Sequence, residues 1–247
     1  MTTSTHQPVS EIGNQNMSEY VQVNQKVFFA ASDRNKDVIL DQLRPFLEKA
    51  TLGSGSGQHI YHFSKSFPNV IYQPTEYNTT LLPSIEAYAD EVRTETEFPI
   101  KRALELDATN QGHWSIVQTE GQRTRQEHSL NQESNQALQE QRSYDLVLTT
   151  NVFHISPLIV TESIVRGAGQ VLKPGYFIVY GPFKKDGTYN SESNREFDEM
   201  LRGRDASWGV RDIEAIEAVA MNEAKMKLIR IQDMPSNNYM LFFEKQH

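Results

Sequence analysis

The chain has 247 residues and a formal net charge of −8, from 24 Lys and Arg against 32 Asp and Glu. That length closes a substantial core unaided, and the absence of cysteine excludes a disulfide framework, a thiolate nucleophile and sulfur-ligated zinc. The acidic balance disfavours nucleic acid, no apolar run reaches the roughly 18 residues of a membrane span, and neither a secretory core nor an Arg-rich transit pattern opens the chain, so a cytoplasmic protein acting away from membranes is expected.

Residues 1–27 are polar and aperiodic and read as a disordered tail, leaving one domain over 28–247. Ser32 is placed to cap a helix carrying Val38, Ile39, Leu43 and Phe46, with Pro45 marking its end. Gly53-Ser54-Gly55-Ser56-Gly57 follows as a glycine turn, then a helix with Ile60, Phe63 and Phe67, then a strand at Val70-Ile71-Tyr72 closing at Gln73-Pro74-Thr75-Glu76. A helix with Pro83, Ile85, Tyr88 and Ala89 leads to a strand over Ala103 to Leu106. Between Ser115 and Ser143, seven of 29 residues are Gln and none is aromatic, which predicts a polar insertion, either disordered or a solvated helix. Tyr144 to Leu148 is the near-continuous apolar run of a strand buried on both faces. A helix over 161–171 stops at Leu172-Lys173-Pro174-Gly175, and Phe177 to Tyr180 forms the next strand. Ser193 opens a capping box, Asp212 caps a last helix, and two strands, Lys227 to Ile231 and Tyr239 to Phe243, close the chain. This alternation predicts an α/β protein: a doubly wound, mostly parallel sheet with an antiparallel C-terminal hairpin.

In such a sheet the ligand sits outside the carboxyl ends of the strands. Gly53, Gly55 and Gly57 allow close backbone approach at a helix N-terminus, and Glu76, 19 residues past Gly57 at a strand end, stands where a carboxylate accepts from ribose hydroxyls. The spacing departs from GxGxxG, since Gln58 or Ile60 would have to be the third glycine. A ligand lacking a pyrophosphate fits better, and S-adenosylmethionine is the expected cofactor.

Ala31-Ser32-Asp33-Arg34-Asn35-Lys36, the glycine turn with Gln58-His59, Gln73-Pro74-Thr75-Glu76, Asn151-Val152-Phe153-His154-Ile155-Ser156-Pro157, Leu172-Lys173-Pro174-Gly175, Tyr180-Gly181-Pro182-Phe183, Trp208-Gly209-Val210-Arg211-Asp212 and Met234-Pro235-Ser236-Asn237-Asn238 occur in that order. Together they resemble the family of methyltransferase-like protein 26, class I S-adenosylmethionine-dependent methyltransferase-like proteins. The resemblance implies a Rossmann-like sheet of seven strands and methyl transfer to an acceptor. By the same resemblance Glu76 matches the ribose-binding acid and Asp107 the acid that meets the adenine amino group. Arg34, Asn35, Gly53, Ser54, Gly55, Gly57 and Asn151 complete the expected cofactor set. His154, in the loop after Asn151, is the candidate base, and no metal site is expected. The charge pattern favours a small-molecule or protein acceptor over RNA. Against catalysis, the stretch from Phe46 to Leu52 is several residues shorter than the family's first strand, with Thr51 at its acidic position. A non-catalytic binding module and a nicotinamide-dependent oxidoreductase are the alternatives.

Overall fold

The computed structural model describes residues 20–23, 25–47, 51–52, 57–93, 100–129 and 143–245. The expected tail ends early. Strands β1 (Tyr20–Val23) and β2 (Lys26–Phe29) pair antiparallel, Val27 is buried, and its amide donates to Ser84 Oγ at 2.8 Å; residues 1–19 lie outside the described ones. Helix α1 (Ala30–Leu47) follows directly, so it starts ahead of Ser32 and runs through Pro45. A proline so close to the end forfeits one backbone bond, while buried Ile39, Leu40, Leu43 and Leu47 keep the stripe on the core.

Next come β3 (Thr51–Leu52), α2 (Gln58–Ser66), β4 (Ile71–Tyr72), β5 (Thr75–Glu76), a 3-10 turn and α3 (Leu82–Arg93). Then follow β6 (Leu104–Glu105), α4 (Gln111–Ser129), β7 (Tyr144–Thr150), α5 (Leu158–Val171) and β8 (Leu172–Gly181). The last third holds β9 (Phe183–Lys185), β10 (Thr188–Tyr189), α6 (Glu192–Arg204), β11 (Arg211–Asp212), α7 (Ile213–Ala224), β12 (Met226–Met234) and β13 (Asn238–Lys245).

Strands β12, β13, β8 and β7 form one sheet in that order, with β7 parallel to β8 and the C-terminal hairpin antiparallel. Strand β3 lies beside β7 and pairs parallel with β4, while β5 pairs parallel with β6. Among the described residues these ladders do not join into one seven-stranded sheet, which corrects the sequence expectation. One break has a local cause: Pro74, which has no amide hydrogen, separates β4 from β5. Partial continuity survives where Lys101 N donates to Tyr72 O (2.8 Å) and Leu106 N to Glu76 O (2.9 Å).

The sheet residues alternate between two cores. Leu146, Leu148, Ile178, Tyr180, Met240 and Phe242 pack with α1, α2 and α3, whereas Phe177, Val179, Leu241 and Phe243 pack with α4, α5 and α7. As far as Ser129 the Gln-rich segment belongs to helix α4, whose Val117, Gly121 and Thr124 are buried while most of its other described side chains are exposed or half-buried; residues 130–142 lie outside the described ones. Trp114 and Val117 of α4 are buried, and a Cβ on Gly167 of α5 would stand 2.0 Å from the Trp114 ring. The hydroxyl of Tyr144 donates to Val117 O at 2.9 Å.

Two boundaries also move. Strand β8 begins where α5 stops, because Gly175 passes so close to β7 that a Cβ there would meet Asp145 O at 2.1 Å. The cap of α6 is Ser191 rather than Ser193, its hydroxyl accepting from Asn194 N at 3.2 Å. At the outer strand β12 the register shifts between Leu228 and Arg230, leaving Ile229 exposed, while the Arg230 guanidinium lies 3.7 Å from the centre of the Phe242 ring.

Candidate functional site

The order of strand addition changes side between β3, whose parallel partner is β4, and β7, whose parallel partner is β8. This is the point at which open α/β sheets hold ligands. Gly53, Ser54 and Gly55 lie outside the described residues, but Gly57 is placed, with φ 95° at the N-terminus of α2. A Cβ at Gly57 would stand 3.0 Å from Ile85 Cα, so glycine is needed both for the left-handed backbone and for the contact with α3. Among the described residues no side chain caps α2.

Glu76 is half-buried at the end of β5, where its Oε1 accepts from Asn78 N at 2.8 Å. Burial raises its pKa, while the amides of Asn78 and Tyr77 pull the other way. Asp107 is occupied by a turn: its Oδ1 accepts from Thr109 N (2.9 Å) and Thr109 Oγ1 (2.7 Å), and its own amide donates to His113 Nδ1. Arg34 is exposed on α1, without an ion-pair partner among the described residues. Asn35 is buried, and its Oδ1 stands 2.8 Å from His59 Nε2. Burial, then His62 and Lys36, push the pKa of His59 down to about 4, so its imidazole is neutral near pH 7 and Nε2 is the donor.

On the other side of the crevice Asn151 ends β7 at φ 57°, a conformation asparagine tolerates, with its amide donating to Tyr180 O at 2.9 Å. Gly181 draws Asn151 and His154 together: a Cβ there would lie 3.8 Å from Asn151 Oδ1 and 3.6 Å from His154 Nδ1. The His154 ring is buried against Phe197 of α6, with centroids 5.5 Å apart. Burial, then Arg211, lower its pKa to about 4. It is a neutral imidazole at pH 7, and its ring nitrogens have no hydrogen-bond partner among the described residues. Of the expected residues, Asn151 and His154 thus both approach Gly181, Gly57 opens α2, Glu76 ends β5, and Arg34 is exposed on α1.

Other groups hold this arrangement and were not singled out in the sequence. Arg211 Nε donates to Phe153 O (3.1 Å) and its Nη2 to Ser156 O (2.5 Å) and Ser207 O (2.8 Å), tying the turn that carries His154 to the loop before β11. Buried Asp198 accepts from Tyr189 Oη (2.7 Å), Arg202 Nε (2.9 Å) and Val210 N (2.5 Å); burial opposes its ionisation, yet these bonds keep its pKa below the ordinary carboxylate value. Gly209, at φ 141°, could not carry a Cβ without meeting Asp198 and Arg202. The glycine inside Trp208-Gly209-Val210-Arg211 was the one visible signal for this corner.

Residues 26–245 match the family described as a protein of unknown function (DUF938). Among solved structures, the chain is similar to CalO1, a methyltransferase in calicheamicin biosynthesis in its S-adenosylhomocysteine-bound form, at TM-score 0.60 and 14% identity over 87% of this chain and 54% of that one. It is also similar to the mitomycin 7-O-methyltransferase MmcR (TM-score 0.61, 12% identity, 88% and 55% covered). A third is human N-acetylserotonin methyltransferase in complex with S-adenosylmethionine (TM-score 0.58, 10% identity, 88% and 53% covered). The chain spans about half the length of these proteins, and at such identity the likeness is one of fold: a mixed α/β fold of the methyltransferase type. No helix among the described residues is long and apolar enough to cross a membrane.

Proposed function

We propose that this chain, which belongs to the DUF938 family, binds S-adenosylmethionine in the crevice between β3 and β7 and transfers its methyl group to a small-molecule or protein acceptor. The observation that carries the reading is the approach of Asn151 and His154 to Gly181 at the carboxyl ends of β7 and β8. The residues present fit the cofactor. The N-terminus of α2 suits its carboxylate, and Glu76, a carboxylate ending its strand, suits ribose hydroxyls. When bound, S-adenosylmethionine supplies a methyl group on a sulfonium centre.

In-line displacement draws most of its rate from held geometry, and the chain's part is to orient both reactants in a site shielded from water. Neutral His154 can accept a proton from an acceptor hydroxyl, with Nδ1 toward Gly181 as the receiving atom. Asn151, fixed through its backbone to Tyr180, offers an amide beside that atom.

The rival reading is a binding module that keeps the fold without catalysis. Calorimetric titration with S-adenosylmethionine, S-adenosylhomocysteine and NADH separates the readings. Binding of the first two without the third supports the proposal; NADH alone refutes it, and no binding at all leaves the module.

A further inference from the structure

Arg211 is half-buried at the start of β11, beside the turn that carries His154. Its Nε donates to Phe153 O at 3.1 Å and its Nη2 to Ser156 O at 2.5 Å, so the guanidinium meets the chain on both sides of His154, and a second Nη2 bond goes to Ser207 O at 2.8 Å. The His154 carbonyl accepts from Gly209 N at 3.0 Å. Of the five N–H donors of a guanidinium, these bonds engage Nε and Nη2. Nη1 has no partner among the described residues. The charge of Arg211 reaches the His154 ring, whose pKa it lowers after burial has done so.

All three acceptors are neutral carbonyls, and no carboxylate of the described residues forms an ion pair with Arg211. Asp198 belongs to the cap over the His154 turn, where Leu201, Trp208 and Val210 pack with Ile155 and Phe197. Its carboxylate is committed to Arg202 Nε (2.9 Å), Tyr189 Oη (2.7 Å) and Val210 N (2.5 Å). Burial lowers the pKa of Arg211, Arg202 lowers it further, and Asp198 does not cancel the two. The cation therefore sits here at a cost. Holding carbonyls does not call for a charge, since a side-chain amide also donates to them, whereas an anion at Nη1 would relieve that cost. In a chain of net charge −8 a cation short of a counter-ion runs against the composition.

We propose that Arg211 Nη1 takes an anionic oxygen of the methyl acceptor, a carboxylate or a phosphate, and so holds a small hydroxyl-bearing acid beside His154. The inference rests on the reading of the crevice at Gly181 as a methyl-transfer site, and it goes further by naming the charge of the acceptor. A hydrogen bond between a guanidinium and an anion is stronger than one between neutral groups, and anchoring one end of the molecule limits where its hydroxyl can lie.

The test follows the backbone amides of residues 153–156 and 207–211 by nuclear magnetic resonance in the full chain. Benzoate, inorganic phosphate or the uncharged benzamide is added at constant ionic strength. One of the two anions is expected to give saturable shifts there and benzamide to bind about tenfold more weakly or worse, the weight of a hydrogen bond to a charged group. The anion that saturates first distinguishes a carboxylate acceptor from a phosphate one. Arg211→Gln, which keeps donors and drops the charge, should weaken that anion by about tenfold or more, while Arg211→Lys retains part of the affinity. A merely structural arginine would lower the melting temperature in both variants and give no anion response in the unaltered chain. No saturable shift with either anion, benzamide binding as well as the anions, or a full response in Arg211→Gln overturns the inference. Should Arg211→Gln fail to fold, the contrast between anions and benzamide in the unaltered chain decides. S-adenosylhomocysteine added to the same samples reports the cofactor reading separately: if it binds and the anions do not, only the inference falls, and if it does not bind, the transfer reading falls and the acceptor assignment with it.

Discussion

Trp114 stands on α4 with its indole against Gly167 of α5, donates from Nε1 to Ala108 O at 2.9 Å, and is only 4% exposed. Replacing it with alanine removes the largest side chain between the two helices, and the backbone at Gly167 has no side chain to lean into the space. Truncation of a buried tryptophan costs about 3–5 kcal/mol, a large part of the roughly 5–15 kcal/mol that holds a domain together. At roughly 2–4 °C per kcal/mol for a domain of this size, the melting temperature should fall by about 6–20 °C. Urea denaturation followed by far-ultraviolet circular dichroism would measure the loss. Trp114→Phe serves as companion: it keeps much of the apolar area but leaves Ala108 O without its donor, for a cost of about 1 kcal/mol. A loss below about 1 kcal/mol for the alanine variant would show that α4 rests on the surface, and would restore the solvated insertion that the glutamines suggest.

His154→Ala should leave S-adenosylhomocysteine affinity within a few fold and lower turnover by roughly 10²–10⁴ once an acceptor is in hand; unimpaired turnover would assign His154 to structure. Glu76→Ala should weaken S-adenosylmethionine binding by about 1.5–3 kcal/mol, and an unchanged titration would remove Glu76 from the site. His59 and His154 are held near 4, against 6.5 in an ordinary chain, so the unfolded state takes up protons first. Stability is therefore lost as pH falls from about 6.5 toward 4, by up to roughly 3 kcal/mol per histidine, and urea midpoints that do not move over that range would contradict their burial as neutral rings. Asp198→Ala leaves Val210 N and Tyr189 Oη without their acceptor and should cost about 3–5 kcal/mol, with loosening concentrated in 189–211 by hydrogen exchange; uniform exchange would argue against a separate cap.

What the sequence revealed follows periodicity. Strands buried on both faces, such as Tyr144 to Thr150, and helices with clear stripes, such as α1, α5 and α7, are legible because burial selects the residues that show it. The α4 layer is hidden because its packing depends on what opposes it: Gly167 against Trp114, and Tyr144 against Gly121 of α4 itself, let a polar helix dock through one indole and one valine. The N-terminal hairpin is hidden for a related reason, since it is held by Ser84 and by Gln58, which accepts from Phe29 N at 2.6 Å, rather than by an apolar run. At the site, the pairing of Asn151 with His154 could be read from a strand end and a short loop. The partners of Asn35 and Asp107 could not, because a side-chain amide or a carboxylate looks the same in sequence whether it meets a ligand or closes a turn.

The irregularity in β12 bears on how the molecule meets its own copies. An outermost strand with unbroken pairing presents a row of free amides and carbonyls that another chain can extend, the first step toward aggregation. Here the row is interrupted between Leu228 and Arg230, and the guanidinium of Arg230 lies folded over Phe242 instead of lining the rim. Lys227 and Asp233 stand exposed on either side. A second copy approaching edge to edge would find the hydrogen-bond spacing out of step after three residues and a charge to desolvate at each end. The edge at β12 thus resists extension, and the longest strand pair among the described residues, the C-terminal hairpin, can form without recruiting a neighbour.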